Sequence, residues 1–233
     1  MAKRPIFLPL GDGGLVEERL IEFEWFPGFA AVQKQKSIQA LHAAAGEEGV
    51  TEILEISTKS LEQVGTRLSA FNLWIEIEDH PHPVLLEAAY QGSKVFRSIG
   101  RSTHLYTYQS GKEIKRYMKD LPPEPLEGFE VSGHKWELEP KTAFYDWLYV
   151  NALHQLAAND DRINDELAEY EAFTDIEFNP DKSINCQARS CALYVALDAK
   201  ELLRDALSSP KDFLAVLAEC QYGVESEQGR LPF

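Results

Sequence analysis

Glu87, Gln91 and Lys94 recur at i, i+4 and i+7 in the stretch LSAFNLWIEIEDHPHPVLLEAAYQGSKVF, residues 68–96. At about 100° per residue on a helix, their side chains fall within one arc of roughly 60°. The residue types suit group transfer. A carboxyl group can shuttle a proton. A lysine amine can attack a carbon once it is neutral, which requires desolvation or a cationic neighbour to lower its pKa. Glu87 and Lys94 stand two turns apart, about 10 Å along the axis, a gap that two long side chains can close on one ligand. The same spacing also describes a solvated helix face, so periodicity alone leaves both readings open.

Two further patterns carry chemistry. In TAFYDWLYVNALHQL, Asp146 lies in line with Val150, Leu153 and Ala157. A carboxylate in an apolar stripe is costly when unpaired. It either interacts with first-turn amides or lines a pocket with Trp147 and Tyr149 as stacking surfaces. Between Lys94 and Lys119, seven basic residues (Lys94, Arg97, Arg101, Lys112, Lys115, Arg116, Lys119) meet a single acidic one, Glu113, with Tyr106, Tyr108 and Tyr117 interleaved. Such a patch can meet a phosphate-bearing ligand or a nucleic-acid strand, or be a solvated helix and loop.

The elements that must position these groups are mostly helical. Residues 15–26 read as a strand stopped by Pro27-Gly28, and 30–45 as a helix ending at Gly46. VTEILEIS (50–57) and LWIEIE (73–78) alternate as half-buried strands. A helix over 84–97 follows the HPHP turn, its other side (Leu85, Ala88, Ala89, Gly92, Val95, Phe96) forming a core-facing stripe. A short helix over 112–119 and a proline-rich surface loop over 121–128 come next, then a hairpin over 129–138 turned at Ser132-Gly133. Helices are expected from Pro140-Lys141-Thr142 to Leu156 and from Arg162 to Phe173. CALYVAL (191–197) is a buried strand or helix, and 199–207 a helix. Ser209 and Pro210 open the last helix, with a stop expected at Gly223. Scattered strands among more numerous helices predict an α+β, predominantly helical single domain over 1–233.

Composition limits the function classes. A net charge of −15 argues against broad, non-specific nucleic-acid binding. No apolar run reaches the roughly 18 residues a membrane span needs, and the run before Gly11 is too short for a secretory signal, which predicts a cytoplasmic protein with no membrane partner. Cys186, Cys191 and Cys220 lack CxxC spacing and read as small buried hydrophobes. The His80-Pro81-His82-Pro83 cluster is a rigid turn without further ligands in sight, so no metal is expected. No GxGxxG or P-loop binds a nucleotide cofactor, and none is expected.

LSAFN (68–72), followed by Glu87-Ala-Ala-Tyr90-Gln91-Gly-Ser-Lys94, resembles the NADAR (YbiA-like) family, which carries a Leu-Ser-Asn-Phe-type element and a Glu-x-x-Tyr/Phe-Gln-x-x-Lys helix. EILEIST (52–58), the helices of FYDWLYVNALHQLAAN and the segment holding Glu177 and Asp181 extend the resemblance over 52–198, leaving 1–51 and 199–233 as additions. Two departures separate the chain from the small-metabolite YbiA type. Ala70 stands where the family usually has Asn, and SINCQARS (183–190) stands where it has a Trp-Gly pair. The WFPGFA-x-x-QKQKSI start, LSAFN and PKT-x-FYDWLY look like the NADAR branch associated with DarT toxins.

That resemblance implies an antitoxin and hydrolase, an N-glycosidase that removes ADP-ribose from guanine in single-stranded DNA and reverses the toxin's ADP-ribosylation, a form of DNA repair. The cognate DarT toxin is a further possible partner. In this reading Lys94 is the nucleophile or key cation, with Lys59 in reserve, and Glu87 is the acid/base. Asn72 and Gln91 hold ribose hydroxyls, and Trp147 stacks on the ligand. Lys36, Lys59 and Arg189 are candidate diphosphate ligands, and Asp146 and Asp181 orient from behind. Two alternatives stand beside it: an N-glycosidase of small ribosylated pyrimidines, and a non-enzymatic antitoxin that acts by binding.

Overall fold

A computed structural model describes residues 1–228. The chain opens with strands β1 (Ala2–Pro9) and β2 (Val16–Phe23), then helix α1 (Ala31–Glu47) and β3 (Ile53–Glu55). Helix α2 (Gln63–Arg67) leads through the 68–72 bend to β4 (Trp74–Ile75), β5 (Val84–Leu85), α3 (Leu86–Gly92) and β6 (Lys94–Phe96). A 3-10 turn at Thr103–Thr107 precedes α4 (Gly111–Asp120) and the hairpin β7 (Leu126–Val131) and β8 (His134–Trp136). The remainder is α5 (Ala143–Asn159), α6 (Arg162–Ala168), β9 (Ala172–Thr174), α7 (Gln187–Ala199), α8 (Leu203–Ala206) and α9 (Pro210–Gln228). The architecture is α+β, as the scattered strands predict. No helix among the described residues is long and apolar enough to cross a membrane.

A four-stranded sheet in the order β2-β1-β9-β3 separates two helical layers. Successive side chains of a strand point to opposite faces. Ile6 joins Ile38 and Leu41 of α1 on one side, and Phe7 joins Leu54, Leu193 and Tyr149 under α5 and α7 on the other. Burial of these two faces supplies most of the apolar contact that holds the sheet. β4 and β5 form a two-stranded ladder, and β6-β7-β8 a second, antiparallel sheet at the far end of α3.

The structure corrects several boundaries. The helix expected over 84–97 stops at Gly92, and Lys94–Phe96 becomes a strand paired with β7, Lys94 opposite Phe129. The cause is tertiary. Ser93 is buried, its Oγ bonded to the Ala89 carbonyl (2.7 Å) and to the Tyr106 hydroxyl (3.1 Å), and its carbonyl accepts from Glu130 N–H (2.8 Å). β-branched and aromatic Val95 and Phe96 then fit a pleated edge. The helix expected to reach Phe173 ends at Ala168, because Ala172–Thr174 pairs in parallel with β3. Residues 191–197 belong to one helix, α7, which closes at Lys200 before Glu201 adopts a left-handed conformation (φ 58°). The last helix begins at Pro210 as expected and continues through Gly223 to Gln228. β1 was not among the sequence expectations: Pro5 and Pro9 argue against a strand inside a sheet, yet β9 meets β1 at Phe7 alone.

Candidate active site

The LSAFN bend builds the start of α3. The Leu73 and Ala70 carbonyls accept the N–H groups of Leu86 (2.9 Å) and Glu87 (3.1 Å), satisfying donors that a helix start leaves open. Behind the bend, Gln187 Oε1 accepts from Ala70 N–H (2.8 Å), and Gln187 Nε2 donates to Asp175 Oδ2 (3.0 Å). Tyr149 Oη donates to the Leu68 carbonyl (2.9 Å). The first sequence element therefore fixes the register of the second.

Glu87, Tyr90, Gln91 and Lys94 line one side of a cavity of about 400 Å³, faced by Tyr145 of α5 and by Asn185 at the end of the 182–185 loop. Gln91 Nε2 donates to Glu87 Oε1 (3.0 Å). The Lys94 ammonium lies over the Tyr90 ring, 4.8 Å from its centre. Tyr90 is held edge-on by Tyr145 (5.2 Å between centres) and its hydroxyl accepts from Asn185 Nδ2 (2.7 Å). Gln91 Oε1 and Asn185 Oδ1 are buried and accept from no donor among the described residues. Two unpaired acceptors beside a cavity are sites for a ligand's hydroxyl or N–H.

Burial shifts the ionisable groups toward their neutral forms. It raises the Glu87 carboxyl above its ordinary value, against the Gln91 hydrogen bond and the charges of Lys94 and Lys115. It lowers the Lys94 ammonium, against the attraction of Glu87. The Tyr90 hydroxyl is pushed up to about 12, mainly by burial and then by Glu87, so it remains a proton donor or acceptor without charge. A buried pair of carboxyl groups, Glu55 and Asp175, lies behind the bend. Glu55, 2% exposed, accepts from Thr174 Oγ1 (2.7 Å) and Ile176 N–H (2.9 Å), and burial followed by the charge of Asp175 raises it to about 8. Burial raises Asp175 as well.

The other residues expected at the site lie apart from this cavity. Asn72 is exposed and donates to the Thr66 carbonyl (2.8 Å) beside a separate cleft. Lys59 follows β3 and donates to Thr58 Oγ1 (2.9 Å). Lys36 is exposed on α1 near Phe26. Asp146 and Arg189 pair with each other, and Ser190 Oγ donates to Asp146 Oδ1 (2.6 Å). That resolves the carboxylate in the apolar stripe: it is neutralised by α7, and Arg189 lines a different, apolar cavity. Trp147 packs on Trp136 (5.3 Å between ring centres) and faces a cavity of about 610 Å³ with His80, His82 and His134. Asp181 is exposed on the loop that leads to Lys182 and Asn185.

Glu87, Gln91 and Lys94 are thus brought together, and Lys94 arrives on β6 rather than on the helix. Tyr145 and Asn185 were not anticipated. Tyr145 sits one position before Asp146 on a helix read for its apolar stripe, and Asn185 lies in SINCQARS, where no local periodicity signals a site. The family model described as DarT1-associated NADAR antitoxin matches residues 2–227. A search of curated proteins finds no match.

Proposed function

The chain belongs to the family of DarT1-associated NADAR antitoxins, and from that premise we propose that it acts by catalysis, as an N-glycosidase that removes ADP-ribose from modified guanine in single-stranded DNA. The observation that carries this reading is the shared cavity of Glu87 and Lys94, an acid whose pKa burial raises beside an amine whose pKa burial lowers. Breaking the bond between the ribose anomeric carbon and a base nitrogen asks for a proton on the leaving nitrogen and an electron pair for the carbon. A protonated Glu87 supplies the first and a neutral Lys94 the second.

In this scheme Lys94 Nζ bonds to the anomeric carbon as the bond to guanine breaks, and Glu87 protonates the departing base. The Glu87 carboxylate then takes a proton from the alkylated amine. Ring opening leaves an imine on Lys94, and water adds to its carbon, freeing ADP-ribose and the amine. Tyr90 presents its ring face to the positive charge that forms on Lys94 Nζ as it bonds to the anomeric carbon. Gln91 Oε1 and Asn185 Oδ1 accept from ribose hydroxyls. The roles of Asn72 and Trp147 expected from the sequence have no support in this cavity; Asn185 takes the position assigned to Asn72.

Incubating guanine-modified DNA in large excess over the protein tests the function. Catalysis predicts free ADP-ribose and restored guanine in many equivalents per protein. A modification that persists, with the protein bound to DNA or toxin, would instead support the binding antitoxin. Cleavage confined to small ribosylated pyrimidines would support the metabolite enzyme.

A further inference from the structure

The basic segment between Lys94 and Lys119 divides into two groups once folded. Arg97 pairs with Glu127 (2.7 Å), and Arg101 with Asp79 (3.4 Å) and Glu130 (3.3 Å). Lys112, Lys115, Arg116 and Lys119 make no ion pair among the described residues. On α4 these four stand at i, i+3, i+4 and i+7, within one arc of roughly 100° and along about 10 Å of axis. All four are exposed, while Ile114 on the opposite side is buried and Tyr117 and Met118 are half-buried. A continuous cationic face on a protein of net charge −15 calls for a negative occupant.

The face packs against the bend and the helix that carry Glu87. Lys115 Nζ lies 4.5 Å from the centre of the Phe71 ring, and its charge acts on Glu87. Phe71 belongs to the LSAFN bend and packs on Gly111, where a Cβ would collide with the ring. Flat rings flank the other side: exposed His104 meets Tyr117 edge-on at 4.7 Å, and Ser102 Oγ holds the Tyr117 hydroxyl at 3.0 Å.

We propose that the cationic face of α4, with Phe71 and the His104–Tyr117 pair beside it, is the track on which a single-stranded nucleic acid lies while its modified base enters the Glu87–Lys94 cavity. The inference rests on the glycosidase reading and adds the surface that holds the polymer. A row of cations with aromatic rings alongside is the arrangement that binds single strands, phosphates on the cations and bases on the rings. An acidic protein surface would use the cations and leave the rings without a role. The acidic remainder of the chain repels phosphate, which confines the strand to this face.

The test uses the full chain and the variant Lys112→Gln/Arg116→Gln/Lys119→Gln, which leaves Lys115 beside Glu87 intact. ADP-ribose release is measured on a modified oligonucleotide and on the ADP-ribosylated guanosine nucleoside, and binding of an unmodified oligonucleotide is read in parallel. The inference predicts that the variant cleaves the nucleoside like wild type and loses about tenfold or more in kcat/KM on the oligonucleotide, through KM, at low salt. The slope of log affinity against log salt becomes shallower by about 2, near 0.7 for each cation removed. Equal oligonucleotide binding and cleavage by both proteins would overturn the track while leaving the glycosidase reading in place. A variant that binds oligonucleotide normally and loses affinity for the toxin would overturn it in favour of a protein-docking face. Failure of wild type on both substrates would remove the glycosidase reading, and the track with it.

Discussion

Lys94 holds its ammonium 4.8 Å from the centre of the Tyr90 ring, although the two residues belong to different elements, β6 and α3. The ring gives the cation an attractive face inside a site where burial opposes charge. Tyr90→Leu removes that face from the positive charge that forms on Lys94 Nζ as the amine attacks, and we expect a fall of about fivefold in kcat/KM, in line with a cation–π contribution of about 1 kcal/mol. Tyr90→Phe keeps the ring and loses only the bond from Asn185 Nδ2, so a smaller loss of roughly threefold is expected. Steady-state kinetics on both variants decide the order; an equal loss would mean that the hydroxyl, not the ring, matters.

The pH profile follows from the directions of the two shifts. The proposed reaction needs Glu87 protonated and Lys94 neutral, a distribution found only when the pair carries one proton. Below the Glu87 pKa both groups are protonated and the nucleophile is lost; above the Lys94 pKa both are deprotonated and the acid is lost. Burial raises the first and lowers the second, so the bell in kcat/KM is narrower than an ordinary Glu and Lys would produce. Lys115 lowers the Glu87 pKa. Lys115→Gln therefore moves the acid limb to higher pH and leaves the alkaline limb in place, which pH-rate profiles of the two proteins will show.

Gln91 and Asn185 present buried oxygens without donors. Replacing either with Ala is expected to raise KM about three- to tenfold, the range of one neutral hydrogen bond, with little change in melting temperature. If KM is unmoved and the protein melts earlier, both amides serve the fold alone.

Asp146 is 2% exposed and paired with Arg189, away from the cavity. Asp146→Ala leaves the guanidinium without its carboxylate and is expected to cost about 3 kcal/mol of stability in denaturant melts. The folded fraction retains wild-type kcat/KM. A large loss of activity at unchanged stability would return Asp146 to the site.

What the sequence made legible was local. The α3 motif, the Ser132-Gly133 hairpin and the Pro210 helix start each carry their signal within a few residues, and each is found in place. Lys94 was placed on the correct surface through the wrong element: a helical arc pointed it at Glu87, and a strand delivers it there, because β7 captures the chain after Ser93. β9 pairs with β3 across more than a hundred residues, a relation that no local period encodes. For the same reason Asn185 was invisible. Its partner is Tyr90, 95 positions earlier, and only the fold brings them together. The residues Asn72 and Trp147 show the reverse failure, types suited to a ligand that the fold turns to other clefts.

The central claim is most directly tested by multiple-turnover release of ADP-ribose from guanine-modified single-stranded DNA, with wild type and Lys94→Ala compared at equal folded concentration. The account predicts many equivalents released by wild type and a loss of at least about a thousandfold in the variant, the scale on which a covalent nucleophile acts. Undiminished release by Lys94→Ala would contradict it.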